Sequence, residues 1–232
     1  MALTKVQSVT GAGATLVLNG VAANNALTFQ ESSFDNSSGT ALATPTDSNG
    51  TFTIASADAG TQATGLGFAL VGIWYNQAAA AGTHTVTPQA RNGYNGTLTE
   101  WSGLATSGML DVAKSAGSGA GGQTSQATGT TSATAQADEL VLICLSVGAT
   151  PGAANIGLTD PVSTFTTLQV VNDDAGNIGT MHSWKETAAT GTQSATFNWT
   201  DNSATETTMG CIATFKVAAT ADTSTPYLNM MF

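Results

Sequence analysis

Short runs of β-forming residues recur along the whole chain, with turn-forming dipeptides between them. No segment keeps the 3.6-residue apolar period that a helix packed on a core requires. The pairs Asn49-Gly50, Asn92-Gly93 and Asn95-Gly96 supply the positive φ angles of tight hairpin turns. Many short strands at this spacing are typical of a sandwich or a barrel, and we predict an all-β fold, a two-sheet antiparallel β-sandwich.

The apolar runs place twelve strands along the chain. They are 4–9, 15–19, 26–32, 51–55, 67–75, 83–90, 97–102, 139–147, 164–171, 179–186, 193–199 and 208–217. The strongest is "ELVLICLSV", in which Val141 alternates with other large apolar residues. Because this alternation fixes which face a strand buries, we expect Val141→Asp to prevent folding.

Ionic side chains are scarce and mostly acidic. Charged residues make up 9% of the chain, and five basic residues against 15 acidic ones give a net charge of -10. Nucleic-acid binding begins with basic side chains that neutralise phosphates, and negative charge also repels anionic lipid surfaces. We therefore expect no nucleic-acid and no membrane partner. The N-terminal sequence lacks the pattern of a secretory signal, which predicts assembly in the cytoplasm.

A Gly/Ser/Thr-rich stretch at 117–137 offers two interpretations. It has no large apolar residue, so it could be a linker between two domains. It could also contain a solvent-facing edge strand, "SQATGTTSAT", in which case Thr131→Asp would be tolerated. We favour a single sandwich domain at 1–217, followed by a tail at 218–232.

Two cysteines lie in separate apolar runs. If Val141 faces the core, Cys144 points the other way, whereas Cys211 alternates with Phe215 on a core face. Cysteines on opposite faces do not bridge easily, so we predict two buried free thiols.

The stretch "GTLTEWSGLATSGMLD" raises the question of a sugar-cleaving site. Such a site needs two carboxyl groups opposed across the substrate, with an aromatic platform beside them. Strand alternation places Glu100 and Trp101 back to back, and Asp111 follows only after a loop. We therefore predict a core tryptophan at the end of a strand and a hydrogen-bonded Glu100 at a corner, without catalytic residues.

Metal and cofactor sites have little support. His84 and His182 have no other ligand-type residue at zinc-binding spacing. The segment 172–177, "NDDAGN", faintly resembles a calcium loop but lacks the distal glutamate, so a plain turn is favoured. We expect no metal and no cofactor.

Large apolar residues gather at the C-terminal end, beyond the last predicted strand. They are Tyr227, Leu228, Met230, Met231 and Phe232. An exposed apolar cluster of this kind is an aggregation risk unless something covers it. We predict that these residues dock on a neighbouring subunit; the alternative is that they fold back on their own sandwich.

The order of several short motifs resembles a jelly-roll-like β-sandwich domain that recurs in tailed-phage structural proteins and bacterial surface proteins. The motifs are "ALVGIWYN", "GTHTVT", "EWSG", "MLD", "ADELV" and "ATFK". The resemblance extends over nearly the whole chain to Lys216, and it brings an architecture but no catalytic residue.

The resemblance implies a non-enzymatic virion structural protein of a tailed phage, such as a capsid decoration or a fibre-like surface subunit. Its partners would be copies of itself and other virion proteins. The alternative is a carbohydrate-binding or adhesive module for a host-surface glycan, because lectin domains share the architecture. That alternative needs exposed, coplanar aromatic side chains.

Overall fold

The computed structural model describes residues 2–12, 15–35, 39–60, 67–89, 94–118, 123–149, 157–159, 164–173, 178–200 and 206–219. Seventeen β-strands and no helix lie within these ranges. The strands are β1 (Thr4–Ala12), β2 (Leu16–Val21), β3 (Ala26–Asp35), β4 (Thr46–Asp47), β5 (Gly50–Thr51), β6 (Thr53–Ala59), β7 (Phe68–Asn76), β8 (Gly82–Thr87), β9 (Tyr94–Ser102), β10 (Leu110–Ser118), β11 (Ser125–Ala127), β12 (Glu139–Ala149), β13 (Leu158–Thr159), β14 (Thr166–Asp173), β15 (Ile178–Thr187), β16 (Thr196–Trp199) and β17 (Glu206–Lys216).

The strands form four antiparallel sheets. Two five-stranded sheets, which we call the inner sheets, have the orders β1-β9-β3-β7-β6 and β10-β17-β12-β15-β14. Two smaller sheets, the outer sheets, have the orders β2-β8-β4-β5 and β11-β16-β13. The predicted all-β, antiparallel sandwich-like fold is therefore confirmed, with an outer sheet added on each side.

Three apolar cores separate the four sheets. The central core lies between the two inner sheets and includes Trp101, Leu142 and Phe215. One outer core joins β2 and β8 to the first inner sheet, and the other joins β16 to the second. Each inner sheet is thus covered on both faces, which is why all ten residues of β3 are buried.

The strand order divides the chain into two matching halves. The first half comprises β1 to β9 and the second comprises β10 to β17. Replacing each strand of the first inner sheet by its counterpart gives the order of the second inner sheet, and the same holds for β2-β8-β4 and β11-β16-β13. In both halves the first strand pairs with the last and the second pairs with the second-to-last.

Local backbone features repeat with the topology. Asn24 and Asp138 have φ angles of 65° and 59°, and each lies just before the third strand of its half. Gly82 and Gly191 have φ angles of 123° and 151°, and each lies seven residues after an aromatic residue of the preceding strand. The first strand of each half also contains a register shift. These coincidences indicate an internal duplication.

The two halves meet through equivalent surfaces. Trp101 of β9 packs edge-on against Trp184 of β15, with ring centroids 5.0 Å apart and planes at 67°. The counterpart rings, Phe215 of β17 and Tyr75 of β7, lie 5.6 Å apart with planes at 62°. Contacts related in this way are those of an isologous dimer, here formed within one chain.

Each of the twelve predicted strands overlaps an observed one. The sequence did not predict β10 or the short strands β4 and β13, whereas β11 lies within the edge strand that was one of two interpretations of 117–137. The β10 sequence, "LDVAKSAGS", has few large apolar residues because it forms the partly buried edge of an inner sheet. A strand in that position needs only small side chains on its covered face.

The predicted free thiols are confirmed, but their predicted orientation was wrong. Cys144 and Cys211 are direct register partners on β12 and β17, and both face the central core. Val141 also faces a core, that of the second outer sheet. The prediction failed because it assumed one buried face for a strand that is buried on both.

The interpretation of Thr131 as solvent-facing was also wrong. Three threonines of this region are at most 5% exposed, and their hydroxyl groups accept hydrogen bonds of 2.9–3.2 Å from backbone N–H groups opposite. The pairs are Thr128 with Ala195, Thr131 with Gln193, and Thr134 with Gly191. We therefore expect Thr131→Asp to destabilise the protein.

The stretch 117–137 does not separate the two halves. Its described residues include the end of β10 and all of β11, both in the second half. The halves join at residues 103–109 instead, where Leu104 forms an isolated bridge with Val217. Since the halves have a core each and also share one, a single domain at 1–217 stays a prediction.

Candidate functional site

Glu100 closes a corner of the first half. Its side chain is 1% exposed. One carboxylate oxygen accepts hydrogen bonds from the Ala22 backbone N–H at 2.9 Å and from Asn25 Nδ2 at 2.6 Å, and the other accepts from Gln7 Nε2 at 2.6 Å. Three neutral donors thus satisfy a buried carboxylate, as burial of a charge requires.

Trp101 lies on the opposite face of the same strand, in the central core. Its indole N–H donates to Thr28 Oγ1 at 2.8 Å. Asp111 lies at the corresponding corner of the second half, against Lys216. The prediction of a hydrogen-bonded Glu100 and a core tryptophan is confirmed, and Glu100 and Asp111 lie at different corners with different partners.

The corner of the second half has different residues at the counterpart positions. Leu27 pairs with Glu100 in the first half, and its counterpart Val141 pairs with Thr214, so Thr214 occupies the position of Glu100. By the same register Glu139 occupies the position of Asn25. A carboxylate therefore stands where the first half has an amide donor.

Asp111 and Lys216 complete this corner. An Asp111 carboxylate oxygen accepts a hydrogen bond from the Ala135 backbone N–H at 2.6 Å, and the other lies 3.4 Å from Lys216 Nζ. Glu139 is fully buried beside them, and neither of its carboxylate oxygens has a hydrogen bond of normal geometry. The Thr214 hydroxyl, the Asp111 carboxyl and the Gln136 backbone lie close enough to affect its ionisation.

The two carboxyl groups have opposite pKa shifts. Burial, together with the neighbouring Asp111, raises the pKa of Glu139 to about 7 against the lowering effect of Thr214 and the Gln136 backbone. Burial also acts to raise the pKa of Asp111, but the Ala135 hydrogen bond and the contacts with Glu139 and Lys216 lower it overall. At neutral pH, Asp111 therefore holds the charge and Glu139 is partly protonated.

Glu139 lies in the wall of a cleft of about 500 Å³. The lining residues come from the segment before β1, the segment that leads into β12, the end of β15 and the segment after β17. They are Ala2, Leu3, Gln136, Ala137, Asp138, Glu139, Glu186, Val217, Ala218 and Ala219. This volume lies within the range of small-molecule sites. The cleft is the strongest candidate site among the described residues.

Both histidines have structural partners. His84 Nδ1 lies 2.7 Å from Asp47 Oδ2, and its Nε2 lies 2.9 Å from the Ala80 carbonyl oxygen. Both ring nitrogens therefore have a hydrogen-bond partner within the fold, and neither is placed to activate a nucleophile. His182 lies between the inner sheets, with Nδ1 2.8 Å from Thr97 Oγ1 and Nε2 3.0 Å from Ser32 Oγ. Burial lowers the pKa of His182 to about 3.

The described residues contain no group of three or more His, Cys, Asp or Glu side chains arranged to hold a metal ion. In the segment 172–177, for which a plain turn was favoured over a calcium loop, Asn172 Oδ1 accepts a hydrogen bond from the Leu158 backbone N–H, and residues 174–177 lie outside the described residues. No helix in the described part of the chain is long and apolar enough to span a membrane.

The C-terminal docking residues predicted from the sequence cannot be placed. Tyr227, Leu228, Met230, Met231 and Phe232 all lie outside the described residues, which end at 219.

The sequence did not reveal the role of Glu139 or Lys216. Glu139 was visible as the single acid that opens the most apolar strand of the chain, "ELVLICLSV". An ionisable group at the start of a doubly buried strand is a signal of a buried carboxylate. Its pairing with Asp111 depends on the contact between β10 and β17, and β10 was not predicted.

The chain was compared with known proteins in three ways. No family model, no curated protein and no solved structure matches it.

Proposed function

We propose that the protein is a non-enzymatic structural subunit of a tailed-phage virion, a surface component such as a capsid decoration or a fibre-like subunit. The observation that carries the proposal is the nested strand pairing of each half, in which first pairs with last and second with second-to-last. Rolling up one long hairpin produces this order. Eight-stranded jelly rolls are built in this way, and viral capsid domains are among the proteins that use them.

Fold alone does not determine function, so the use of the polar residues matters as well. Glu100, His84 and His182 each have their hydrogen-bonding groups engaged within the fold. This arrangement suits a rigid structural part better than a site that must bind and release a substrate.

The low content of ionic residues also supports an assembly role. Only 9% of the residues are charged. Few charged groups would have to lose water when subunits meet, and the loss of water by unpaired charges is a main cost of association.

In this proposal the tail at 218–232 docks on a neighbouring copy through Tyr227, Leu228, Met230, Met231 and Phe232. Deleting residues 226–232 tests this part separately. We expect the shortened protein to fold, to form a smaller oligomer or a monomer in solution, and no longer to be incorporated into particles. An unchanged oligomer that is still incorporated would contradict the docking.

Mass spectrometry of purified particles tests the proposal as a whole. The chain should be present in stoichiometric amounts, and the genes beside its own should encode capsid and tail proteins. Its absence from particles of a phage that expresses it would refute the assignment.

The alternative carbohydrate-binding function has no specific observation in its favour. Trp74, Trp101 and Trp199 are at most 4% exposed, and Tyr75 and Trp184 pack between the inner sheets. Titration with soluble oligosaccharides should leave the tryptophan fluorescence unchanged; a saturable shift would favour this alternative.

A further inference from the structure

The corner of the second half has an acceptor where the first half has a donor. Asn25 donates to Glu100 at 2.6 Å and closes the first corner. Its counterpart Glu139 cannot donate when ionised, and its oxygens have no hydrogen bond of normal geometry. A fully buried carboxylate without a hydrogen bond of normal geometry is costly, so a further positively charged or hydrogen-donating group would stabilise this corner.

The charges around the cleft have the same sign. Asp138, Glu139 and Glu186 line it, and Asp111 lies behind Glu139. Among the described residues, Lys216 is the cation in contact with this group, since its ammonium group is paired with Asp111 at 3.4 Å. The four acids outnumber the single lysine, so the cleft favours a cationic ligand.

The lining also limits the shape of that ligand. Leu3 and Val217 supply apolar surface next to the acidic groups, and the volume of about 500 Å³ accommodates a short chain with a charged end. An ammonium group is a compact charge with three donors on a flexible alkyl stem. The described residues offer no set of three ligands for a metal ion.

We propose that the cleft binds a primary ammonium group on a short alkyl chain, with the Glu139 carboxylate as its ion-pair partner and Leu3 and Val217 along the chain. The ammonium group can belong to a free alkylamine or to a lysine side chain of another protein. This site is independent of the proposed virion role, since its test does not involve particle assembly.

Isothermal titration calorimetry on the full chain tests the site. The first probe is n-butylammonium chloride, with n-butanol as the neutral control of the same shape. We expect saturable binding of the ammonium compound alone. Affinity should increase as the pH rises through the range in which Glu139 loses its proton, because the ion pair needs the charged Glu139 carboxylate. Binding of both compounds, or of neither, would overturn the proposal.

Substitutions locate the site. Glu139→Gln keeps the shape of the side chain and should weaken n-butylammonium binding at least tenfold. Asp58→Asn is the matched control, because it removes one negative charge from β6 away from the cleft and should change the affinity less than twofold. Equal affinities of the two variants would overturn the assignment. If Glu139→Gln does not fold, the comparison of n-butylammonium with n-butanol on the native chain still tests whether binding requires the ammonium charge.

A second probe distinguishes the two sources of the ammonium group. The capped peptide acetyl-Gly-Lys-Gly-amide carries the lysine side chain, and acetyl-Gly-Gln-Gly-amide is its control. Binding of the lysine peptide together with n-butylammonium supports a protein lysine as the ligand. Binding of n-butylammonium alone supports a free amine. A glutamine peptide that binds as well as the lysine peptide would overturn the proposal.

Discussion

At the corner of the first half, one buried carboxylate, that of Glu100, meets three neutral donors. At the corner of the second half, two carboxylates, those of Asp111 and Glu139, lie near the single lysine Lys216. The backbone pairing around both corners is the same. In the first corner the carboxylate has good hydrogen bonds, whereas in the second the Glu139 carboxylate has none of normal geometry and lies beside a cleft.

This difference separates what the fold requires from what it tolerates. Strand order, register and the positions of large core residues are repeated between the halves, so these features specify the architecture. The polar groups at the corners are not repeated. A polar arrangement that breaks the local rule while the surrounding fold is kept is where a functional site is expected.

The largest expected effect comes from placing a charge in either outer core. Leu27 and Val141 are counterparts, both 0% exposed. Leu27→Asp and Val141→Asp should each prevent folding, because an unpaired buried carboxylate costs several kcal/mol. Soluble yield and far-ultraviolet circular dichroism measure this, with Val6→Asp at the 49% exposed Val6 as control. A protease-resistant second half in Leu27→Asp would show that the halves fold independently.

The next effect concerns the central core, where the halves differ in polarity. His182 of β15 corresponds to Ile73 of β7, and its pKa of about 3 lies below the ordinary 6.5. The unfolded chain therefore binds a proton that the folded protein does not, so stability falls as the pH drops from 6.5 towards 3. This contribution amounts to about 2–3 kcal/mol between pH 6.5 and 4.

His182→Gln should remove this acid sensitivity while keeping an amide for hydrogen bonds to Ser32 and Thr97. Urea denaturation at several pH values measures the difference. An equally steep loss of stability in the variant would mean that other groups cause the acid response.

A smaller effect is expected in the second outer sheet. Leu16, Leu18 and Val21 of β2 are buried in the first outer core, whereas Thr128 and Thr131 occupy the matching edge of the second half. Thr131→Val keeps the shape but leaves the Gln193 backbone N–H without its acceptor, which should cost about 1–3 kcal/mol. Ser132→Val, at an exposed neighbouring position, should cost little. Equal losses in thermal-unfolding experiments would contradict the role of the hydroxyl group.

The sequence predicted strands well because their signals are local. Alternation of apolar and polar residues and Asn-Gly turns can be read from neighbouring residues, and each of the twelve strands predicted in this way overlaps an observed strand. Thr131 was misjudged because a hydroxyl group can be buried when it replaces a backbone acceptor, and composition does not distinguish this from exposure. Cys144 and Cys211 lie opposite each other because of the register between β12 and β17, and no local sequence pattern contains the register of strands that are distant in the chain.

The duplication was visible in part. The stretch "YNQAAAAGTHTVT" at 75–87 aligns without gaps with "WKETAATGTQSAT" at 184–196, including Gly82 and Gly191. Elsewhere the halves share the position of apolar residues rather than their identity, as with Leu98 and Ile212. Packing accepts any side chain of suitable size, so sequence similarity decays while topology remains.

The smallest effect sharpens the comparison of the corners. The pKa of Glu139 is raised from 4.5 to about 7 in the folded protein. The folded protein then holds a proton that the unfolded chain has released, so this group lowers stability as the pH rises from 4.5 to 7. Because Glu139 lies in the wall of the cleft, near the surface, we expect about 1–2 kcal/mol rather than the full value of the shift. Glu139→Gln should remove this loss, so that the variant is the more stable protein at pH 7.5 and differs little from the native chain at pH 4.5. His182 acts in the opposite direction over the same range, so the stability of the variant should fall more steeply than that of the native chain as the pH drops from 6.5 to 4.5. Urea denaturation at pH 4.5, 6 and 7.5 measures both effects. A variant that is less stable than the native chain at pH 7.5 would mean that the Glu139 charge is satisfied within the fold, as that of Glu100 is in the first half.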